Sequence, residues 1–327
     1  MRFRTFGKTG IKVSEISLGT WQLGSRWGDP FNEEVAIKTL DAAMKTDINL
    51  FDTADVYQGG MSEKIIGKYI KTLDQKPFVI TKTGRRLPEQ TKEGYSEENL
   101  RKFIDDSRKN LDVEALDMVL LHCPPTDVYY MPEVFKLLDQ LKIEGKIKHY
   151  GVSVERIEEG LKAMDYEGVE AIEIIFNMFR LRPTEHFFKR AQEQKVGVIV
   201  RVPLASGLLT GKFTKKSTFG KDDHRTFNRH GEAFDKGETF SGVDYDRGLE
   251  AVEALKKVFH TDNLTAIALR WILMFDAVST VIPGASKPEY VYDNVNATLL
   301  PPLTKEQMKA VEDIYNTYIK DPVHYIW

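Results

Sequence analysis

Four polar residues in the first third of the chain have the types and spacing of a proton-transfer centre: Asp52 and Tyr57 in FDTADVYQGG, Lys82 in FVITKTG and His122 in MVLLHCPP. A free phenol, with a pKa of about 10, is a poor acid or base at neutral pH. A lysine ammonium beside it favours the phenolate and lowers that pKa, and an aspartate beside the lysine keeps the lysine charged and fixed. Lys82 and Asp52 suit those roles toward Tyr57. A neutral imidazole at His122 is then expected to hydrogen-bond a substrate oxygen, orienting a carbonyl to accept hydride while Tyr57 supplies the proton.

Each residue alone has a plainer explanation. Asp52 stands where a helix N-cap would, Lys82 where a surface lysine ends a strand, and His122 where a core histidine would be satisfied. Together they are harder to dismiss, because three of them end short apolar runs and a barrel brings the ends of consecutive strands to one rim. Cys123, the only cysteine, adjoins His122 and raises a thiol nucleophile. Neighbours along a strand point to opposite faces, which argues against that pairing.

The elements that must position these side chains recur at fairly even intervals. Apolar runs at 16–20, 50–54, 78–82, 117–122, 149–153, 171–176, 198–203 and 279–284 read as strands. Between them, segments such as NEEVAIKTLDAAMKT, SEENLRKFIDDSRKNL, MPEVFKLLDQLKIEGK and TEHFFKRAQEQK carry apolar residues at helical spacing. Strands alternating with helices imply parallel pairing through helical crossovers, and eight such units match a closed (β/α)8 barrel, a TIM barrel. An open doubly wound sheet is the runner-up, but ISLGTWQLGS lacks the G-x-G-x-x-G spacing of its dinucleotide site. We therefore expect one barrel domain over 1–327, preceded by an N-terminal β-hairpin turning near Gly7 to Gly10, which would plug the barrel floor.

One connection departs from this rhythm. From Leu204 to Val243 nearly forty residues show no clear period, and loops of this length in compact domains are usually lids or disordered segments. Lys212, Lys215, Lys216, Lys221, Arg225 and Arg229 make it basic, suited either to closing over a phosphate-bearing ligand or to an ordinary solvated surface. His224 and His230 lie in it too; without a third ligand they make a poor zinc site and are expected to face solvent. After the last strand, KPEYVYDNVNAT and LTKEQMKAVEDIYNTYI read as two helices, the second extra to the barrel, and terminal Trp327 is expected to pack on its own domain. Phe176, Phe179, Phe187 and Phe188 read as core filler.

Composition narrows the partners. With 42% hydrophobic and 29% charged residues the chain is an ordinary globule, and no run of about 18 apolar residues offers a membrane span. Forty-six basic residues against 49 acidic leave a net charge of −3, which gives no field-scale attraction to nucleic acid or anionic lipid. A small-molecule partner is expected, in a reducing cytoplasm that suits a lone cysteine, with no metal; a homo-oligomer stays open.

The segments FRTFGKTGIKVSEISLGTWQLG, LFDTADVYQGGMSEKIIGKYI, LTGKF and VIPGASKPEYVYDN together resemble the aldo-keto reductase family, in order and spacing over essentially the whole chain. The resemblance is strongest to a prokaryotic branch that includes relatives of potassium-channel β subunits. It implies a barrel that binds a nicotinamide cofactor without a Rossmann fold and moves hydride between it and a carbonyl or alcohol, with Tyr57 as general acid/base tuned by Lys82 and Asp52 and with His122 orienting substrate. Trp21, Tyr57, Tyr129 and Tyr130 would line the substrate pocket. The cofactor positions carried over by the resemblance are Gly19, Thr20 and Asp52 at the pocket floor and Ser153 near the carboxamide. Leu204, Ser206, Gly207, Leu208 and Lys212 would lie along the pyrophosphate, and Gly284, Ala285, Ser286, Lys287, Tyr290, Asp293 and Asn294 around the adenosine end. Lys287 and Ser286 suit a 2′-phosphate, so NADP(H) is expected over NAD(H), although Tyr290 replaces an arginine that often assists there.

Three positions depart from the family pattern at the nicotinamide end: Val154 for asparagine, Glu173 for glutamine and Arg201 for a stacking aromatic. Valine offers no hydrogen bond and an ionised glutamate cannot donate to a carboxamide oxygen. An ion pair between Glu173 and Arg201, on adjacent strands, is expected to replace the missing clamp. Two other readings remain beside the oxidoreductase: a nicotinamide-binding regulatory or sensor subunit with little turnover, and a barrel enzyme in which Lys82 forms a Schiff base. The sequence does not name the substrate, an aldehyde, ketone, sugar or polyol, or the direction of reaction.

Overall fold

The computed structural model describes residues 1–25 and 28–327. Two short strands, β1 (Phe3–Thr5) and β2 (Lys12–Ser14), pair antiparallel around the turn Gly7–Thr9. Eight strands then form one parallel sheet in chain order: β3 (Leu18–Gly19), β4 (Leu50–Asp52), β5 (Phe78–Thr83), β6 (Leu116–His122), β7 (Ile147–Ser153), β8 (Ala171–Ile175), β9 (Gly197–Arg201) and β10 (Val278–Val281). Parallel bridges from Ile16 to Val281 and from Gly19 to Gly284 close the ring. The expected (β/α)8 barrel with its hairpin is the observed architecture.

The helices form where short acceptors cap an amphipathic run. Asn32, Ser96, Asp244 and Thr304 each accept a hydrogen bond from a first-turn amide, opening the helices Glu33–Lys45, Glu97–Leu111, Tyr245–Phe259 and Lys305–Ile314. The hairpin closes the barrel floor: Phe6 and Val13, both fully buried, pack with Leu50, Ile80, Met118, Leu120 and Ile199. Burying each such side chain contributes roughly 1.5–3 kcal/mol.

Register decides what stands on that plug. The inward residues Leu50, Ile80, Leu120, Ala171 and Ile199 belong to the floor cluster, and two positions further along the same strands stand Asp52, Lys82, His122, Glu173 and Arg201. Each strand thus carries an apolar residue below and a polar one above, pointing the same way. Gly19 leaves room at the β3–β10 seam, where an added Cβ would lie 2.7 Å from the Ile282 carbonyl oxygen.

The long connection is folded rather than featureless. It contains the turn Ala205–Thr210, a helical turn His224–Phe227 and turns at Lys236–Glu238 and Phe240–Gly242. Its arginines are used internally: Arg225 pairs with Asp223 at 2.6 Å and lies 4.4 Å from the Phe219 ring, while Arg229 lies over Phe240 and Tyr245. They hold the loop's own aromatic cluster together instead of presenting a basic surface. Trp327 packs on its own domain, buried with its ring 4.2 Å from the Arg180 guanidinium and against Gly237 and Gly242 of that loop. Phe176, Phe179, Phe187 and Phe188 are buried in the main core.

Candidate active site

Asp52, Lys82, Tyr57 and His122 meet at the C-terminal mouth of the barrel. Lys82 Nζ, fully buried, donates to Asp52 Oδ1 at 2.5 Å, to the Thr53 carbonyl at 3.1 Å and to Tyr57 Oη at 3.2 Å. The Tyr57 and His122 rings meet edge to face, centroids 5.9 Å apart. Trp21 stacks beside Tyr57 at 6.3 Å.

Electrostatics alters one expectation. Burial pushes the Tyr57 phenol above its ordinary range, Asp52 and Glu173 push the same way, and Lys82 opposes them without prevailing. Counting only the ammonium, as the sequence invites, omits desolvation and a second carboxylate. Lys82 itself stays charged: burial works against its charge, but Asp52 and Glu173 outweigh it. His122 is held well below its usual range by burial, then by Arg85, Lys82 and Arg201, so it is neutral at physiological pH. Its Nδ1 is buried with no hydrogen-bond partner among the described residues.

At the other side of the mouth the expected Glu173–Arg201 pair is the weakest of several. The two approach to 3.9 Å, whereas Arg201 lies 3.0 Å from Glu155 and 3.5 Å from Glu238 and donates to the Val154 carbonyl at 3.0 Å. Register explains this: Glu173 pairs with Ile199 while Arg201 pairs with Ile175, one inward step higher. Glu173 instead turns to Lys82, 3.5 Å away, and accepts from Ser153 Oγ at 3.3 Å. Arg85 completes the upper cluster, 2.7 Å from Glu238 and 3.1 Å from Glu155. Burial raises the Glu155 carboxyl; burial acts on Glu238 too, but Arg85 and Arg201 hold it well below the usual range.

Arg85, Glu155 and Glu238 were not among the sequence candidates. Arg85 and Glu155 lie just beyond β5 and β7, so strand-end position was a usable signal; Glu238 sits in the long connection with none. Donor atoms of Cys123, Glu155 and Glu238 lie within 4.8 Å of one another, but Arg85 and Arg201 already occupy those carboxylates. Cys123 is not turned away from the site as strand alternation implies. Its backbone is left-handed (φ +50°), and its thiol donates toward Ser153 Oγ at 3.5 Å; burial pushes that thiol's pKa up, so it is no nucleophile at neutral pH.

The remaining candidates divide into exposed groups and framework. Thr20 donates to the Asp52 carbonyl at 2.8 Å, and Ser206 Oγ donates to the Glu238 carbonyl at 2.8 Å, so both hydroxyls brace the mouth. Leu204 is partly buried, Leu208 is core, and Gly207 takes φ +94° in the turn between them. Lys212 and Asp293 are exposed. Gly284 has open space where a side chain would be, and Asn294 Nδ2 donates to its carbonyl at 3.3 Å. Ala285 and Ser286 are buried and lead to the helix Pro288–Val295, whose N-terminus has no side-chain cap. Lys287 lies 4.8 Å from the Tyr290 ring and 3.8 Å from Glu289.

Tyr129 and Tyr130 do not join Trp21. Tyr129 is fully buried, its hydroxyl donating to the Ser153 carbonyl at 3.3 Å, and Tyr130 is 64% exposed beside Lys162. Both border a separate hollow of about 310 Å³ near Arg156, Arg182 and Tyr325. The long connection supplies the groups over Trp21 instead: His224, buried and not solvent-facing, at 5.2 Å, and Phe234 at 6.1 Å. His230 is exposed.

Residues 15–316 match the model of the aldo/keto reductase family. The chain belongs to that family. It is 29% identical to aldo-keto reductase YhdN of Bacillus subtilis, covering 99% of this chain and 96% of that one. It is 31% identical to a putative voltage-gated potassium channel subunit beta of Schizosaccharomyces pombe, covering 96% and 93%. The structure of glycerol dehydrogenase AKR11B4 from Gluconobacter oxydans superposes with a TM-score of 0.80 at 28% identity, over 99% and 98% of the two chains. This aldo-keto reductase is accordingly an oxidoreductase of a family that uses NAD(P)H. Among the described residues, no helix is long and apolar enough to cross a membrane.

Proposed function

We propose that this protein interconverts a carbonyl (an aldehyde, ketone or sugar) and the corresponding alcohol, with Tyr57 as general acid and base and NADP(H) preferred to NAD(H). The observation that carries this reading is the Tyr57–Lys82–Asp52 chain of contacts, 3.2 Å and 2.5 Å, beside a neutral His122. The nicotinamide, when bound, supplies or accepts the hydride. Tyr57, kept protonated by burial, gives its proton to the developing alkoxide in reduction and takes it back in oxidation. Lys82 donates a hydrogen bond to the same phenolic oxygen, which stabilises the phenolate as it forms, and Asp52 holds the ammonium in place. The neutral imidazole of His122, at the mouth beside Tyr57, orients the substrate oxygen by a hydrogen bond. Trp21, stacked beside Tyr57, would form a wall of the substrate site next to the phenol.

The residues present fit a dinucleotide. Gly284 leaves an open seat, and the uncapped helix N-terminus beyond Lys287 favours an anion. Lys287 and Ser286 favour the 2′-phosphate of NADP(H), and Glu289 near Lys287 makes that preference modest. A Schiff base on Lys82 is disfavoured because it needs a neutral amine and two carboxylates keep this one charged. The likeness to a putative channel subunit supports a second reading, a sensor that binds cofactor with little turnover. Fluorescence titration with NADPH and NADH, followed by turnover of a panel of aldehydes, ketoses and polyols, separates these readings. Binding without turnover selects the sensor, and absence of binding below about 1 mM removes both.

A further inference from the structure

Lys82 is one ammonium between two carboxylates. It lies 2.5 Å from Asp52 and 3.5 Å from Glu173, and all three side chains are almost completely buried. Asp52 Oδ2 and Glu173 Oε2 have no hydrogen-bond partner among the described residues. The obvious donors are committed elsewhere: Thr20 gives its hydroxyl to the Asp52 backbone carbonyl, and Ser153 gives its own to Glu173 Oε1. Arg201 faces Glu173 from β9 at 3.9 Å, but its charge is engaged more closely by Glu155 and Glu238. Tyr57 and His122, the remaining titratable groups at this level, are neutral.

We propose that Asp52 and Glu173 share one proton, and that this proton is released when the site takes up the oxidised, cationic form of the nicotinamide cofactor but is retained with the reduced form. Two ionised carboxylates in so dry a place would leave one orphaned oxygen on each and an excess negative charge. With one proton between them, the carboxylic acid can donate to its neighbour and the group of three is neutral with Lys82. Burial and the facing Glu173 charge, which push the Asp52 carboxyl well above its usual range against Lys82, agree with this. A pyridinium cation entering the mouth changes the balance: full ionisation becomes favourable and the proton passes to the bulk buffer. The reduced ring is neutral and leaves the pair as it was. A glutamine at 173 would have no second carboxylate and no proton to give. Glu173 is therefore a positioning residue that couples cofactor charge to pH through Asp52 and Lys82.

The coupled release rests on the cofactor reading above; the shared proton does not. Calorimetric titration of the whole protein in two buffers of different ionisation enthalpy reads the proton count. We expect about one proton released per oxidised cofactor, almost none per reduced cofactor, and loss of that difference in Glu173→Gln. Oxidised-cofactor affinity of the parent should rise with pH while reduced-cofactor affinity stays flat. Equal proton counts for the two redox forms would overturn the coupling. Difference infrared spectra of the cofactor-free protein across pH should show a protonated carboxyl stretch that both Glu173→Gln and Asp52→Asn abolish, with thermal melts confirming that the variants fold. A parent without that band overturns the shared proton. Failure of both cofactors to bind would overturn the coupled release and the proposed function together, and the infrared band would still decide whether the proton is shared.

Discussion

At the Tyr57 side of the mouth, Asp52, Lys82 and His122 come from three consecutive strands, and Tyr57 lies in the loop directly after the first. At the Arg201 side, Arg85 and Glu155 extend from strand ends while Glu238 reaches in from 153 residues beyond Arg85. The first group is set by strand register and could be read from sequence; the second depends on where a long connection happens to fold. The first is arranged to move a proton. The second pairs the buried Arg201 and half-buried Arg85 with the buried Glu238 and half-buried Glu155, and thereby fixes the connection over the barrel.

Substitutions should separate these roles. The largest effect is expected from Tyr57→Phe, which removes the proton donor and should lower kcat by about 10³-fold, within the range for general acid–base groups, while cofactor titration is little changed. A variant that turns over at the parent rate would show that the proton comes from elsewhere. Glu238→Gln acts on the other group: it leaves Arg85 without its nearest anion and should cost about 3 kcal/mol in urea unfolding, with faster proteolysis inside 204–243. Unchanged stability and protection would mean that the cluster does not hold the connection.

Asp55 tests a cost hidden inside the legible motif. Both of its carboxylate oxygens are buried without a hydrogen-bond partner among the described residues, and burial, then Glu63, pushes its pKa up to about 8 against Arg86. The folded chain keeps a proton that the unfolded chain gives up near pH 4, so stability falls as pH rises through this window. Asp55→Asn should flatten that dependence and be roughly 3 kcal/mol more stable than the parent at pH 8, relative to pH 5, by urea unfolding. An unchanged slope would mean that Asp55 is ionised in the folded protein. The smallest effect is expected at the cofactor's far end: Lys287→Ala should weaken NADPH about tenfold, or ~1.4 kcal/mol, and NADH hardly at all. Equal weakening of both would remove the 2′-phosphate assignment.

The barrel was legible because its cause is periodic. Leu50 below Asp52, Ile80 below Lys82 and Leu120 below His122 repeat one alternation, and parallel strands covered on both faces leave few other ways to write it. The helices were legible from apolar residues recurring at helical spacing; the caps that open three of them, Asn32, Ser96 and Thr304, came with the structure. The misread positions are those where period gives no purchase. Cys123 escapes strand alternation through a left-handed backbone, and Tyr130 ends a helical turn, Thr126–Tyr130, that buries Tyr129 and leaves Tyr130 exposed. His224 is buried because an aperiodic segment returns over Trp21.

The amino-acid sequence alone determined the strand–helix rhythm, the closed ring it implies and the identity of the residues carried on consecutive strand ends, because register and side-chain alternation are local consequences of residue order. Only the tertiary structure decided which charges meet. Glu173 turns to Lys82 rather than to Arg201, and Arg201 finds Glu155 and Glu238 instead. Adjacent strands bring these residues to the same mouth, but their height along the barrel, the path of the long connection and the loss of solvent around them set the pairing, and those are properties of the closed barrel as a whole.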